Sequence, residues 1–569
     1  MKKSLPILLI LLLLPTTIFP QTASGNLSKV IIAVEDHKSY DREKYPLGLF
    51  AEEYYQQEAE FAEARLRELK KIKTAELSET ERISKELLRF RLQEKVDHFE
   101  FKAYLNPLLS DAGFHVSLPY HVRPLNNYKE VKRYLKKLEA IPQYVDQHLV
   151  LLRKGLQEGI TQPLAIFKGY EATYNDQIVE NPTESFYYSP FLELPSSLSP
   201  QQKDSVLKAA EVVISMKVVP QFRRIKTFFE EEYFPNTRTA IGVSEIPNGR
   251  DYYQNRLKYY TTLDLTAEEV HEIGLEEVSR INAEMKKIIE EVGFEGSFNE
   301  FLVFLRTDPQ FYATTADELL MEARDISKRI DAQLPKFFKT LPRKPYGVAP
   351  VPDAIAPKYT TGRYFGSSSS TQPGYYWVNT YDLPSRPLYV LPSLTAHEAV
   401  PGHHLQIELN KELGDSIPAF RRNTYLSVYG EGWGLYSEFL AEEMGIYTTP
   451  YEMFGKLTYE QWRACRLVVD TGMHAMGWSR EEAVDFLKNN TALSLHEINT
   501  EIDRYISWPG QAVSYKIGEL KIRELRKLAE TELGDKFDIR GFHEVVLEQG
   551  TVTLAILEQR VKDWIESTR

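Results

Sequence analysis

The sequence predicts a mainly α-helical protein with one small β-sheet. Helix start signals recur along the chain, and behind them apolar residues return at the three- and four-residue spacing of an amphipathic helix. One proline-rich segment, residues 346–389, breaks this pattern, and its stretch Gly374–Asn379 is rich in the aromatic and β-branched residues of strands. We therefore expect a few short strands directly before the next helix.

The first 25 residues predict a secretory signal peptide. Lys2 and Lys3 precede an apolar run, Leu5–Leu14, and the small residues Ala23–Gly25 suit cleavage. No later stretch reaches 18 uninterrupted apolar residues, so we expect no membrane-spanning helix in the mature chain. The single cysteine, Cys465, is far from the cleavage site, which argues against a lipid anchor and excludes an internal disulfide. The protein is expected to be exported, either periplasmic or secreted.

Helix starts can be placed from their capping residues. A Ser or Thr followed three residues later by Glu or Gln satisfies backbone N–H groups at the first turn, and a proline favours the first helical position. Such signals are Ser78 with Glu81, which opens a helix to about Lys95, Ser199 with Pro200, Thr266 with Glu269, Ser479 with Glu482, and Ser494 with Glu497. The periodic apolar residues behind them are assigned to the core.

Length and charge limit the organisation and the partners. About 540 mature residues exceed the usual size of one hydrophobic core, so we expect an N-terminal helical lobe over 26–250, a second lobe over 251–569 and a cleft between them. No flexible linker marks the boundary. The formal net charge is −12, with acidic and basic residues interspersed, which argues against a nucleic-acid partner.

The second lobe contains a histidine-rich motif. Two histidines four apart on a helix, with Glu after the first, commonly bind zinc and activate water. Here His397 and Glu398 are followed by Pro401-Gly402 and by the adjacent His403 and His404. On a straight helix His403 would be rotated about 120° from His397, and His404 would lie roughly 10 Å further along the axis. Pro401 removes a hydrogen bond and clashes with the His397 carbonyl, and Gly402 tolerates the bend, so the chain can resume a helix with one of the two histidines facing His397.

A third ligand is expected from a following helix. Glu431 lies 28 residues beyond His403 between two glycines, which allow a close approach of a metal or another backbone. Two imidazoles and a carboxylate leave a fourth position for water, the pattern of catalytic zinc sites, with Glu398 as the base. The structural alternative is a helix end with solvated imidazoles and an ordinary surface acid. The combination of motifs favours zinc.

Further residues are weaker candidates. Glu438, two turns after Glu431, either orients a ligand histidine or is an ordinary salt-bridged acid. A bend at Pro509-Gly510, with the helix restarting at Gln511, would present Tyr505 and Tyr515 to a developing oxyanion, and Arg504 would be available for a substrate carboxylate. Of the two tyrosines we select Tyr515 as a catalytic residue.

Asp470 and His474, four apart on one helix, are either groups that orient the metal ligands or a satisfied structural pair, and the structural pair is favoured. Cys465 is expected to be a buried small side chain rather than a nucleophile.

The chain resembles a large bacterial family known only as domain of unknown function 885, itself similar to the gluzincin metallopeptidases. The motif His-Glu followed by Pro-Gly-His-His-Leu-Gln is specific for it. The matching segments are Asn248–Tyr253, Tyr260–Thr262, Pro373–Asn379, His397–Gln406, Glu431–Trp433, Arg466–His474, Pro509–Gly518 and Phe542–Val561.

The resemblance implies a ligand set and a fold. By analogy with gluzincins, His403 rather than His404 is the second zinc ligand, and Glu431 is the third. Where many gluzincins carry an orienting acid four residues after that glutamate, this chain has Leu435, so the orienting carboxylate must come from elsewhere. The implied fold is mainly helical with a deep cleft and a small sheet beside the metal-binding helices, as in oligopeptidases.

The leading functional hypothesis is zinc-dependent hydrolysis of peptides. Hydrolysis of a non-peptide amide or ester with the same residues is the first alternative, and a non-catalytic periplasmic binding or scaffold protein with a vestigial metal site is the second. An intact Glu398 argues against the second, because a ligand-only site has no need of a base. Cleavage position, side-chain preference and oligomeric state are left open by the sequence.

Overall fold

The protein is mainly helical in the computed structural model, which describes residues 22–353, 356, 359–367, 371–415 and 417–569. The predicted signal peptide lies outside the described residues except for its last four positions, and the first helix begins at Ala23. The helices that precede residue 250 or begin next to it are α1 (Ala23–Glu35), α2 (Glu52–Lys70), α3 (Glu79–Glu100), α4 (Tyr128–Glu139), α5 (Ile141–Glu158), α6 (Ala172–Asn175), α7 (Pro200–Val213), α8 (Val219–Thr227) and α9 (Gly249–Thr261).

The second part of the chain contains the sheet and the helices around it. Before and within the sheet come α10 (Ala267–Glu291), α11 (Phe298–Thr307), α12 (Ala316–Asp331), α13 (Leu334–Phe337), β1 (Tyr346–Pro350), β2 (Gly362–Phe365) and β3 (Gly374–Val378). After it come α14 (Leu391–Glu398), α15 (His403–Lys411), α16 (Ala419–Arg422), α17 (Ser427–Glu443), α18 (Pro450–Ala475), α19 (Arg480–Asn490), α20 (Leu495–Ser507), α21 (Ser514–Leu533), α22 (Ile539–Leu547) and α23 (Leu554–Thr568).

The predicted helix starts are confirmed. Ser78, Ser199, Thr266 and Ser479 each accept a hydrogen bond from the backbone N–H three residues later, and the Glu or Gln side chain at that position accepts one from the backbone N–H of the cap residue. The first of these helices runs to Glu100, five residues beyond the prediction. At α20 only the first half of the box forms: Ser494 accepts from Glu497 N, but the Glu497 carboxylate does not bond back to the cap.

The predicted small sheet is also confirmed. Its order is β1-β3-β2, with β1 parallel and β2 antiparallel to the central strand. The predicted strand at Gly374–Asn379 is β3, in which Gly374, Tyr376 and Val378 are buried. The sheet packs beside α14 through the edge strand β2. The expected position of the sheet, next to the motif-bearing helices, is therefore observed.

α18 is the central helix among those that follow residue 250. Its residues from Phe454 to His474 are all buried, and it packs against α10, α14, α19 and α21. α17 crosses α21 so closely that a Cβ on Gly432 would lie 2.6 Å from the Gly518 backbone. Glycine at this crossing lets the two backbones touch, which fixes the position of the helix that carries Glu431.

Two further expectations concern the whole chain. In the described part of the chain, no helix is long and apolar enough to cross a membrane. The expected lobe boundary near residue 250 falls at the start of α9 and stays a prediction, as does the deep cleft. A cavity of about 630 Å³ opens beside α15 near Arg343 and Glu412, but its lining does not include the motif histidines.

Candidate metal centre

The two histidine positions lie on separate helices joined by a tight turn. α14 ends at Glu398, and α15 begins at His403. Between them the Val400–Pro401 peptide is cis, and Gly402 N donates to Ala396 O at 3.0 Å. A Cβ on Gly402 would lie 1.9 Å from the His397 carbonyl oxygen, so only glycine fits. The structure therefore has the predicted bend at Pro401-Gly402 and resumes the helix at His403.

The bend brings three ligand-type side chains together. Glu431 Oε2 lies 3.5 Å from His397 Nε2 and 3.4 Å from His403 Nε2. The ligand atoms of these residues all lie within 4.8 Å of one another. In a tetrahedral zinc site with bonds of about 2.0–2.1 Å, neighbouring ligand atoms are about 3.3–3.4 Å apart. The donor set and both measured spacings fit a zinc ion.

The adjacent histidines point to different partners. His404 Nδ1 lies 3.0 Å from Tyr364 Oη, and that hydroxyl donates to Glu408 Oε1 at 3.1 Å. The Tyr346 ring packs on the same imidazole, at 4.8 Å between ring centroids. Burial lowers the pKa of His404 to about 4, so it is neutral near pH 7. The structure therefore places His403, and not His404, beside His397 and Glu431.

Glu438 orients His397. Its Oε1 accepts a hydrogen bond from His397 Nδ1 at 2.7 Å, and its side chain is 2% exposed. A proton held on Nδ1 leaves Nε2, the atom nearest Glu431, as the nitrogen that a metal ion would bind after displacing its proton. Burial alone lowers the pKa of His397, but Glu431 and Glu438 outweigh it and raise the pKa to about 9. The pocket thus stabilises positive charge, and Glu438 supplies the carboxylate that is absent at Leu435.

The glycines of α17 make room for the side chains around Glu431. A Cβ on Gly434 would lie 2.6 Å from His397 Cε1, and one on Gly430 would lie 2.4 Å from the Tyr425 ring. Tyr425 donates to Glu431 Oε1 at 2.8 Å, which leaves Oε2 facing the histidines. Gly430 and Gly434 therefore have a steric reason, since side chains at these two positions would collide with Tyr425 and His397, while Gly432 faces the Gly518 backbone.

A hydrogen bond links the two ligand-bearing segments. Trp433 Nε1, in α17, donates to Pro401 O at 2.8 Å, in the turn between α14 and α15. Both partners are buried. The helix of Glu431 is thereby fixed to the turn that positions the histidines.

The edge strand β2 holds Glu398. Tyr364 N donates to Glu398 Oε2 at 2.7 Å, and the carboxylate is only partly buried. Glu398 directly follows His397, and its charge contributes to the raised pKa of that histidine, so its carboxylate lies near the candidate ligands. The Arg363 side chain, also on β2, interacts electrostatically with Glu398 and Glu431. This is the position expected for a base that acts on water beside the metal.

Tyr515 lies in the first turn of α21, which begins at Ser514, three residues after the predicted restart. Burial raises the pKa of the Tyr515 phenol, and the charge of Glu431 raises it further. Its hydroxyl is therefore a protonated donor near the candidate ligands. Tyr505 is fully buried, and its hydroxyl is occupied by Arg466 and Glu501, so it is a structural residue.

The other weaker candidates are structural. Arg504 is paired with Glu501 at 2.9 Å. Asp470 accepts hydrogen bonds from Tyr253 Oη and Gly510 N, while His474 accepts from Val243 N and lies 3.0 Å from Tyr505 O. The expectation that Asp470 and His474 are structural agrees with these contacts, although they bond to other groups and not to each other. Cys465 is buried, as expected.

Two tyrosines were not anticipated from the sequence. Tyr364 contacts Glu398 through its backbone and His404 through its side chain, and Tyr425 holds Glu431. Tyr364 is 34 residues from its backbone partner and belongs to an edge strand. Among 34 tyrosines, no local pattern distinguishes either one.

Comparison with known proteins identifies the family and leaves the activity open. No curated protein matches the chain. A candidate lipoprotein from Colwellia psychrerythraea has a similar crystal structure, with a TM-score of 0.86 and 27% identity over 96% of this chain and 100% of its own. A candidate lipoprotein of unknown function from Shewanella oneidensis shares the fold, with a TM-score of 0.68 and 18% identity over 94% of this chain and 96% of its own. Residues 38–561 match a family model, and the chain belongs to that family, which is described as bacterial protein of unknown function (DUF885).

Proposed function

We propose that the chain is a gluzincin-like zinc metallopeptidase that hydrolyses peptide bonds. The observation that carries this proposal is the convergence of His397, His403 and Glu431, with the charge of Glu398 near enough to act on His397. A site for metal storage or structure would need a fourth protein ligand and no base. An open fourth position and an adjacent carboxylate are what hydrolysis requires.

Each neighbouring side chain has a role in this chemistry. Zinc held by the three side chains would lower the pKa of water and polarise the substrate carbonyl. Glu398, fixed through Oε2 by Tyr364 N, accepts a proton from the attacking water and returns it to the leaving amine. Tyr515 donates a hydrogen bond to the substrate oxygen as it becomes negative. Glu438 keeps the His397 ring in the required tautomer.

The proposed location is outside the cytoplasm. The N-terminal sequence has the pattern of a signal peptide, and both similar solved structures are of candidate lipoproteins. We propose a periplasmic or secreted enzyme that acts on peptides in the cleft between its two lobes. No nucleic-acid partner is proposed.

Metal analysis and a peptide screen test this function together. We expect about one zinc per chain by plasma mass spectrometry, and chelator-sensitive cleavage of a quenched fluorescent peptide library. Glu398→Gln should retain zinc and lose turnover by orders of magnitude, because the amide keeps the shape but cannot accept the proton. The matched control is Glu412→Gln at the end of α15, which should keep wild-type turnover.

Four outcomes would contradict the proposal. Purified protein that never binds zinc would exclude the metal centre. Zinc with cleavage of esters or simple amides but not peptides would favour the non-peptide hydrolase. Zinc with no hydrolysis of any of these substrates would favour the binding protein, and near wild-type turnover of Glu398→Gln would exclude Glu398 as the base.

A further inference from the structure

A second cluster of charged side chains adjoins the candidate metal centre. Arg463 and Arg466 lie one turn apart on α18 and are 6% and 3% exposed. Aromatic rings surround them: the guanidinium carbon of Arg463 is 4.6 Å from the Tyr459 ring centre, and that of Arg466 is 4.3 Å from Trp462 and 4.4 Å from Tyr515. The cluster is thus a pair of buried cations with aromatic walls.

Their hydrogen bonding is incomplete. Arg466 donates from Nε to Tyr505 Oη at 2.7 Å and from Nη2 to Glu501 Oε2 at 3.1 Å, but its Nη1 has no partner among the described residues. Arg463 donates to Tyr459 O, and its Nε has no hydrogen-bond partner among the residues that the structure describes. A buried donor without an acceptor is unfavourable, and more so when the group is charged. Such donors are suited to an anion.

The carboxyls nearby do not fill this role. Glu501 is already shared by Arg466, Arg504 and the Tyr505 hydroxyl. Glu497 interacts electrostatically with both arginines, but burial and the charge of Glu501 raise its pKa to about 7. The cluster therefore retains capacity for another negatively charged group.

Two side chains connect the cluster to the candidate metal centre. Glu438 Oε1, which accepts from His397 Nδ1, lies 3.6 Å from Arg463 Nη2. On the other side the Tyr515 ring contacts Arg466, and its phenol interacts electrostatically with Glu431. Tyr515 and Arg504 are partly exposed and form the accessible side. Glu438 and Tyr515 therefore make the arginine cluster and the candidate metal centre neighbouring parts of one region.

We infer that Arg463 and Arg466 bind the free α-carboxylate at the C-terminus of a peptide substrate. This inference rests on the proposed peptidase function, and it makes the protein an enzyme that releases short C-terminal fragments. A guanidinium binds a carboxylate through paired N–H groups, and an enclosed aromatic site accommodates the end of a chain better than a continuing chain. An Asp or Glu side chain offers the same chemistry, so the test must separate the two.

Binding to the Glu398→Gln protein provides a test that does not require turnover. Isothermal titration would compare acetyl-Gly-Phe with a free carboxylate, acetyl-Gly-Phe amide, and an amidated acetyl-Glu-Phe. We expect the free acid to bind at least about 10-fold more tightly than either amide, the difference typical of a charge-assisted hydrogen bond. Arg466→Gln should lower the affinity for the acid to that of the amide, whereas Arg466→Lys should retain part of the difference.

A surface arginine provides the control. Arg480 is paired with Asp503, and Arg480→Gln should leave all three affinities unchanged. Circular dichroism would verify folding. If Arg466→Gln does not fold, the ratio of the affinities of the Glu398→Gln protein for the free acid and for the amide tests the inference by itself. Equal affinity for the acid and both amides would overturn the inference. Preference for the amidated Glu peptide would show that the arginines bind an acidic side chain, which also overturns the C-terminal assignment.

Turnover by the zinc-loaded protein separates this inference from the proposed function. Equal cleavage of free and amidated peptides would refute the carboxylate site and leave the peptidase proposal intact. Acid-selective binding without cleavage of any peptide would refute the peptidase proposal and show an anion site. Cleavage of free-acid peptides alone, with products from the C-terminal end, is the expected result.

Discussion

Gly434 offers a sharp test of the candidate metal centre, because its hydrogen faces the imidazole of His397. In Gly434→Ala the new Cβ would lie 2.6 Å from Cε1 and 2.7 Å from Nε2 of that ring. Relief to an ordinary contact of about 3.4 Å requires a shift of about 0.8 Å, whereas metal ligands tolerate about 0.2 Å. Alanine favours a helix interior by about 1 kcal/mol over glycine, so the strain need not unfold the protein. We expect a folded protein with at least 100-fold weaker zinc binding.

The assay is competition for zinc with a fluorescent chelator, alongside thermal unfolding of the metal-free protein. Gly274→Ala is the matched control, since its Cβ would lie 2.7 Å from Val468 Cγ2, a similar collision in the core that does not involve the histidines. It should lower the unfolding temperature and leave zinc affinity unchanged. Wild-type affinity in Gly434→Ala would show that the His397 ring, as placed here, does not hold the metal.

Three other perturbations give distinct results. His403→Ala should abolish zinc binding. His404→Ala removes only a contact to Tyr364 and should weaken zinc binding at most 10- to 100-fold. A metal titration in which His404→Ala loses zinc and His403→Ala retains it would show that His404 is the ligand. Glu438→Gln should lower zinc affinity 10- to 100-fold in the chelator assay, because the amide accepts a weaker hydrogen bond from His397, and an unchanged affinity would contradict its orienting role. Burial raises the pKa of Asp470 to about 7, above its unfolded value of about 3.9. The folded protein therefore holds this proton more tightly, and the free energy of unfolding falls by up to about 4 kcal/mol as pH rises from 4 to 7. Asp470→Asn should remove this pH dependence in urea unfolding, and an unchanged pH dependence would contradict the raised pKa.

The sequence was sufficient to predict those structural features that are determined by residues close together in the chain. Capping residues placed the starts of α3, α7, α10 and α19, because a cap and its partner lie within one turn. The bend at Pro401-Gly402 followed from backbone sterics alone. The resemblance to a family supplied the choice of His403 over His404, which helix geometry left open.

The contacts that tune the site are not local, and the sequence could not place them. Glu438 was left as either an orienting or an ordinary acid, since its role depends on packing between α17 and α14. The start of α21 at Ser514 rather than Gln511 reflects turns at 509–513, where Gly510 N bonds Asp470 on α18. The unpaired donors of Arg466 are visible only once α18, α20 and α21 are assembled.

The hydrogen bond from Trp433 to Pro401 has a consequence for how the proposed centre would bind its metal ion. Neither residue is a candidate ligand, yet together they join the helix of Glu431 to the turn between the histidines. The ligand atoms are therefore held close by protein contacts, unlike in small zinc domains that fold only around their ion. Loading and release of zinc would proceed without refolding, and zinc would add stability only by mass action. The protein would then bind zinc at a preformed site, and the fraction of active protein would follow the free zinc concentration around it.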